Sequence, residues 1–127
     1  EGTPPATGDQ VVVGDVLIQP HSAPLGIAFS PGKQFPSEYR NDLFVALTGS
    51  WNRGLRTGYK LIRVKLQNSK ATGQYEDFMT GFTTAEGNVW GRPVGVAVAP
   101  DGSVLMSDDG SGTVWRISYH ATKQAAH

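Results

Sequence analysis

A chain of 127 residues, 39% of them hydrophobic, has the length of one domain and enough apolar surface for a modest core, which excludes wholesale disorder. Eleven Lys and Arg balance eleven Asp and Glu, so the composition offers no broad basic field for nucleic acid or anionic lipid. Cysteine is absent, which excludes disulfides and thiolate metal sites, and no stretch approaches the roughly 20 apolar residues that span a membrane.

Sixteen Gly and eight Pro cut the chain into short pieces, with Val, Ile, Leu, Phe and Tyr in runs between them, so the fold class is all-β. Residues 1–8, polar with paired prolines, read as a flexible lead-in. The start at Glu1, with neither an initiator Met nor a basic-then-apolar leader, points to a processed chain or a piece of a longer one. Residues 10–19, with Val11-Val12-Val13 and Val16-Leu17-Ile18, are expected to form a strand that belongs to no sheet of its own.

An internal repeat follows. Pro24-Leu25-Gly26-Ile27-Ala28-Phe29-Ser30-Pro31 and Pro93-Val94-Gly95-Val96-Ala97-Val98-Ala99-Pro100 stand 69 residues apart, with Pro, Gly, Ala and Pro shared. Next, Asp42-Leu43-Phe44-Val45 matches Ser103-Val104-Leu105-Met106, and Leu61-Ile62-Arg63-Val64 matches Val114-Trp115-Arg116-Ile117. Each copy therefore gives an inner, a middle and an outer strand. The turn Pro100-Asp101-Gly102 suits a tight hairpin. Gln74 to Phe82 supplies a fourth strand to the first copy, whereas the second ends near Tyr119 and leaves 120–127 as a tail.

Repeated sheets of this kind are blades of a β-propeller, whose inner strands crowd a central channel and favour small residues such as Gly26, Ala28, Gly95 and Ala97. The expected layout is an outer strand at 10–19, a blade over 24–82 and an incomplete blade over 93–119, about two blades of a six-bladed ring. An orphan strand at one end and a missing one at the other leave exposed edges. The remaining blades of a longer protein would cover them, as would a closed homotrimer of this chain.

Read without reference to any family, the polar residues are unspecific. Arg92 reads as a surface Arg pairing with an Asp or stacking on Trp90, His21 as a hydrogen-bonded loop residue, and Trp51 as packing for its loop. Asp108 and Asp109 read as solvated turn residues, since Ca²⁺ needs six to eight oxygens. His21, His120 and His127 lack zinc spacing, Gly110-Ser111-Gly112 lacks the Lys and helix of a phosphate loop, and there is no nucleophile elbow.

Several segments in order carry a resemblance: His21-Ser22-Ala23-Pro24-Leu25-Gly26, Gly32-Lys33-Gln34-Phe35-Pro36, Tyr39-Arg40-Asn41-Asp42-Leu43-Phe44-Val45, Gly49-Ser50-Trp51-Asn52-Arg53 and Gly91-Arg92-Pro93-Val94-Gly95-Val96. From about residue 15 to 119 the chain resembles the C-terminal blades of the glucose/sorbosone dehydrogenase family. The resemblance implies an exported, periplasmic or secreted six-bladed propeller that holds pyrroloquinoline quinone and Ca²⁺ and oxidises a sugar or sugar-derived aldehyde by hydride transfer to the quinone. The family's His base lies on an earlier blade, so this chain carries no catalytic residue that the resemblance identifies, and no metal ligand.

The resemblance assigns Arg92 to the cofactor's carboxylates and His21 to the channel mouth near the cofactor. It assigns Asn52 and Arg53, on the loop leaving the middle strand, and Thr48 at that strand's end to substrate contacts. Thr48 stands where many relatives have a His, and Val94 where the glucose dehydrogenase branch has a further Arg, so the pocket is expected to be less basic here. The alternative function is a self-assembling, non-catalytic propeller module that binds a small ligand or a protein partner.

Overall fold

The computed structural model describes residues 12–30, 32–50, 54 and 56–122. Within them, β1 (Ala23–Phe29), β2 (Leu43–Thr48), β3 (Lys60–Gln67) and β4 (Lys70–Met79) form a four-stranded antiparallel sheet in sequential order. A second, three-stranded antiparallel sheet runs β5 (Pro93–Val98), β6 (Val104–Asp108), β7 (Thr113–Ile117). Both are simple meanders, as short strands joined by Gly- and Pro-containing turns dictate.

The repeat holds residue by residue. Ile27 pairs with Val45 and Val45 with Ile62 in the first sheet; Val96 pairs with Met106 and Met106 with Trp115 in the second. The inner strands β1 and β5 each break register just after their opening proline. The predicted turn closes with the Gly102 N–H donating to the Ala99 carbonyl at 2.8 Å, and Gly102 has φ +88. This is the left-handed conformation that glycine adopts without steric cost.

The fourth strand starts at Lys70, earlier than the expected Gln74, and stops at Met79. Asn68 and Ser69 both have positive φ and form a two-residue turn, so pairing resumes at once with Gln67 opposite Lys70. Two residues in this conformation match the twist of the flanking strands. Phe82 lies past the strand and is fully buried in the core.

β2 alternates. Phe44 and Ala46 face the second sheet and join Leu61, Val104, Met106, Phe35, Tyr59 and Phe82 in the main core. Val45 and Leu47 face the opposite way, with Ile62 and Val64. Close approach of the sheets requires a glycine at Gly26, where a Cβ would lie 2.3 Å from the Val94 carbonyl oxygen and 2.8 Å from Gly95 Cα. Away from the inner strands, the loop before β2 clamps the sheets together. Gln34 accepts from the Tyr119 N–H at 2.9 Å, and Phe35 packs among Tyr39, Phe44, Phe78 and Tyr119.

The expected strand at 10–19 is not formed over its described part, 12–19. A strand exists only by pairing, and this segment forms no ladder with the neighbouring strands. Its apolar side chains act instead: Val16 and Ile18 lie over the Val45–Leu47–Ile62–Val64 face, and the Gln19 N–H donates to the Tyr75 hydroxyl at 3.2 Å. The cover is partial. Ile27 and Phe29 on the same face remain 61% and 66% exposed.

Candidate functional site

The starts of β1 and β5 and the ends of β2 and β6 share one rim, since Ala23 pairs with Thr48 and Pro93 with Asp108. Connecting segments at such a rim are where a propeller presents chemistry on a rigid frame. The Thr48 hydroxyl donates to the Pro93 carbonyl at 2.7 Å and links the two sheets across the rim. Thr48, a residue expected at the substrate, uses its hydroxyl hydrogen to join the blades.

Asp108 organises the second half of the rim. Its Oδ1 accepts from the backbone N–H groups of Arg92 (2.7 Å), Gly110 (2.9 Å) and Ser111 (3.1 Å). Its Oδ2 accepts from the Ser111 hydroxyl (2.8 Å) and the Trp115 indole N–H (3.0 Å). Burial resists ionisation, but hydrogen bonds from Arg92, Trp115 and Ser111 outweigh it and hold the carboxyl down at about 2. At 2% exposure Asp108 is not the solvated turn residue that its sequence context implies. The reason is tertiary: Phe82, Trp90 and Trp115 close over it, with Trp90 5.3 Å from Phe82 and edge-on to Trp115 at 6.0 Å.

Arg92 therefore has its main chain fixed while its guanidinium stays half exposed at 49%, paired with the Asp109 carboxylate at 3.0 Å. It turns to Asp109 and not to the neighbouring Trp90. Beside it opens a cleft of about 260 Å³ lined by Arg56, Tyr59, Val89, Arg92 and Gly110. Tyr59 is buried and its hydroxyl donates to the Ser50 carbonyl at 3.4 Å. Arg56, on the β2–β3 connection, was not singled out in the sequence, because an Arg in a Gly-rich loop carries no periodicity to place it.

His21 sits in a turn with φ +64, exposed, and this turn lies against Gly58 at the base of the β2–β3 loop. The loop base is closed by the Ser50 N–H donating to the Thr57 carbonyl at 3.0 Å. Asn52 and Arg53 lie outside the described residues. The Ca²⁺ implied by the resemblance finds no cluster of three His, Asp or Glu side chains among the described residues. The carboxylates here do not fit that ion. The donor set does fit an organic polyanion, since two guanidinium groups line one cleft.

Two consecutive meander sheets, packed face to face with small residues at their inner strands, define a partial β-propeller with a cationic rim cleft. The chain belongs to the TrAA12-like family, whose model matches residues 7–120. It is 41% identical over 100 residues to an uncharacterised protein of Borreliella burgdorferi, covering 78% of this chain and 26% of that protein. It is 34% identical over 121 residues to the pyrroloquinoline quinone-dependent pyranose dehydrogenase of Coprinopsis cinerea, covering 80% of this chain and 16% of that enzyme. The structure superposes on the holo form of the PQQ domain of pyranose dehydrogenase from Coprinopsis cinerea with TM-score 0.68 and 30% identity, covering 87% of this chain and 30% of that one.

The chain thus spans about a quarter or less of the curated relatives it matches. The family expected from the residues is borne out as a sugar dehydrogenase type of domain that depends on pyrroloquinoline quinone.

Proposed function

We propose that this chain is the C-terminal, two-blade part of a pyrroloquinoline quinone-dependent dehydrogenase of sugars or sugar-derived aldehydes, pyranose or L-sorbosone in type, acting in the periplasm or outside the cell. The observation that carries the reading is Arg92: a half-exposed guanidinium at the start of an inner strand, with its main chain anchored by Asp108 and its side chain at a cleft. When bound, the quinone supplies the hydride acceptor.

The residues of this chain bind and orient. Arg92 offers a planar, bidentate donor to a carboxylate; Asp109 holds that donor until an anion replaces it. Tyr59 and Val89 add apolar surface to the cleft lining. His21 takes a place on the same rim, and Asn52 and Arg53 are assigned to substrate by resemblance alone. Thr48 contributes by fixing the rim, through its bond to Pro93.

Titration of the chain with pyrroloquinoline quinone, followed by quenching of tryptophan fluorescence, tests the reading. Saturable binding is expected, with Arg92→Ala weakening it about tenfold or more, as loss of a charge-assisted pair does. A wild-type chain that leaves the quinone unbound would remove the basis for a cofactor wall here.

A second reading, a self-assembling ring of three chains, is favoured by one specific observation. Both outward sheet faces are open, one bearing Ile27 and Phe29, the other Val114, which is 66% exposed. Head-to-tail stacking of such faces closes a ring. Light scattering behind size-exclusion chromatography should then return the mass of three chains, and a monomer at all concentrations would sink this reading.

A further inference from the structure

We infer that Arg56 is the second arm of a two-guanidinium clamp for a carboxylated small molecule, sharing the rim cleft with Arg92. The inference rests on the cofactor-wall reading for Arg92 and adds a residue from a different element. Arg56 is exposed on the β2–β3 connection of the first blade, whereas Arg92 opens the inner strand of the second; both line the same cleft of about 260 Å³. Arg92 is neutralised by Asp109 at 3.0 Å, while Arg56 has no ion-pair partner among the described residues. Among the described residues, one formal positive charge at the cleft therefore has no ion-pair partner.

The rest of the lining explains why a ring-bearing anion is preferred over a bare inorganic one. Tyr59 and Val89 line the cleft with the two cations, and an aromatic ring and an aliphatic side chain reward a ring-shaped body whose carboxylates reach the guanidinium groups. The main chain is anchored beside both cations. Ser50 and Thr57 close the base of the loop that carries Arg56, and Asp108 fixes the main chain at Arg92. The chemistry is shared by two sources, the tricarboxylate quinone cofactor and an acidic sugar, because both present carboxylates on a ring.

Isothermal titration of the full chain with pyrroloquinoline quinone, D-glucuronate and D-glucose separates them. Arg56→Gln and Arg56→Lys are compared with Arg92→Gln, after circular dichroism shows the same fold, as expected for an exposed side chain. Arg56→Gln should weaken one of the two anions about tenfold, with Arg56→Lys recovering part of the loss and D-glucose showing no dependence on either residue. A loss confined to the quinone assigns the clamp to the cofactor, and a loss confined to glucuronate assigns it to an acidic substrate.

Unchanged affinities for both anions in Arg56→Gln overturn the clamp. If Arg92→Gln still weakens quinone binding in that case, the cofactor-wall reading stands without it. Absence of binding by the wild-type chain overturns both.

Discussion

Replacing Asp42 with alanine is expected to lower the stability of the chain by about 3–5 kcal/mol, because it strands a buried guanidinium. Asp42 is buried at the entrance to β2, and its Oδ2 accepts from Arg63 Nε at 2.6 Å while Oδ1 accepts from the Leu66 N–H at 2.9 Å. Arg63 is equally committed. It donates to Glu76 at 2.7 Å and to the Glu38 carbonyl, and its guanidinium lies 3.9 Å over the Tyr39 ring. Burial alone would weaken the charged form of Arg63, yet its carboxylate partners Asp42 and Glu76 raise its pKa above the usual value. Glu76 is correspondingly held below its ordinary range by hydrogen bonds from Arg63 and Lys65.

A double-mutant cycle tests this directly. Asp42→Ala and Arg63→Met should each be costly, and the double variant should cost less than their sum, with a coupling of about 2 kcal/mol read from urea midpoints at constant slope. The repeat supplies an internal control. Arg116, equivalent to Arg63, pairs with Asp101 on the surface of the second blade, and exposed pairs contribute little. Arg116→Met, which removes that exposed pair and leaves the Asp101–Ser103 bonds in place, should therefore change the midpoint only slightly. Additive losses at Asp42 and Arg63, each no larger than at Arg116, would refute the argument.

That contrast also marks what the sequence makes legible. The pairing of Val45 with Ile62 and of Met106 with Trp115 could be read directly from the aligned repeats, because a period of two and a shared Pro-Gly opening leave little freedom in register. The Asn68-Ser69 turn moved one boundary by a few residues for a local reason. Arg63 and Arg116 look alike in the repeat, yet one is buried and the other exposed. The difference comes from the loop carrying Phe35 and Tyr39, which covers the first blade and has no counterpart in the short Ala99–Gly102 turn.

The site was legible in the same uneven way. Arg92 is assigned to the cofactor by resemblance; read by itself it is a surface Arg pairing with an Asp, and Asp109 does stand 3.0 Å from it. Asp108 could not be identified, because its burial depends on Phe82, Trp90 and Trp115 arriving from different positions along the chain. The segment at 12–19 shows the converse. Its apolar run is real and is used for packing, but hydrogen-bonded pairing needs a neighbouring strand that local pattern does not supply.

Asp108→Asn carries the other large expected effect, a loss of about 2–4 kcal/mol with a characteristic dependence on pH. Five donors converge on the two carboxylate oxygens. An amide keeps one acceptor, but its NH₂ group then faces the Trp115 indole N–H, donor against donor. The sign of the pH effect follows from the folded-state pKa, lowered from 3.8 to about 2. A depressed carboxyl contributes stability that is present above about pH 4 and is lost as pH falls towards 2, on the order of 2 kcal/mol. The variant has nothing to protonate at this position, so its urea midpoint should fall less steeply than that of the wild type across that window. Because Asp108 also fixes the Arg92 main chain, quinone affinity should drop in the variant at neutral pH, where the protein is still folded. Parallel pH profiles for variant and wild type would show that the carboxylate is not held as its five donors require, and would detach the Arg92 cleft from the buried hub beneath it.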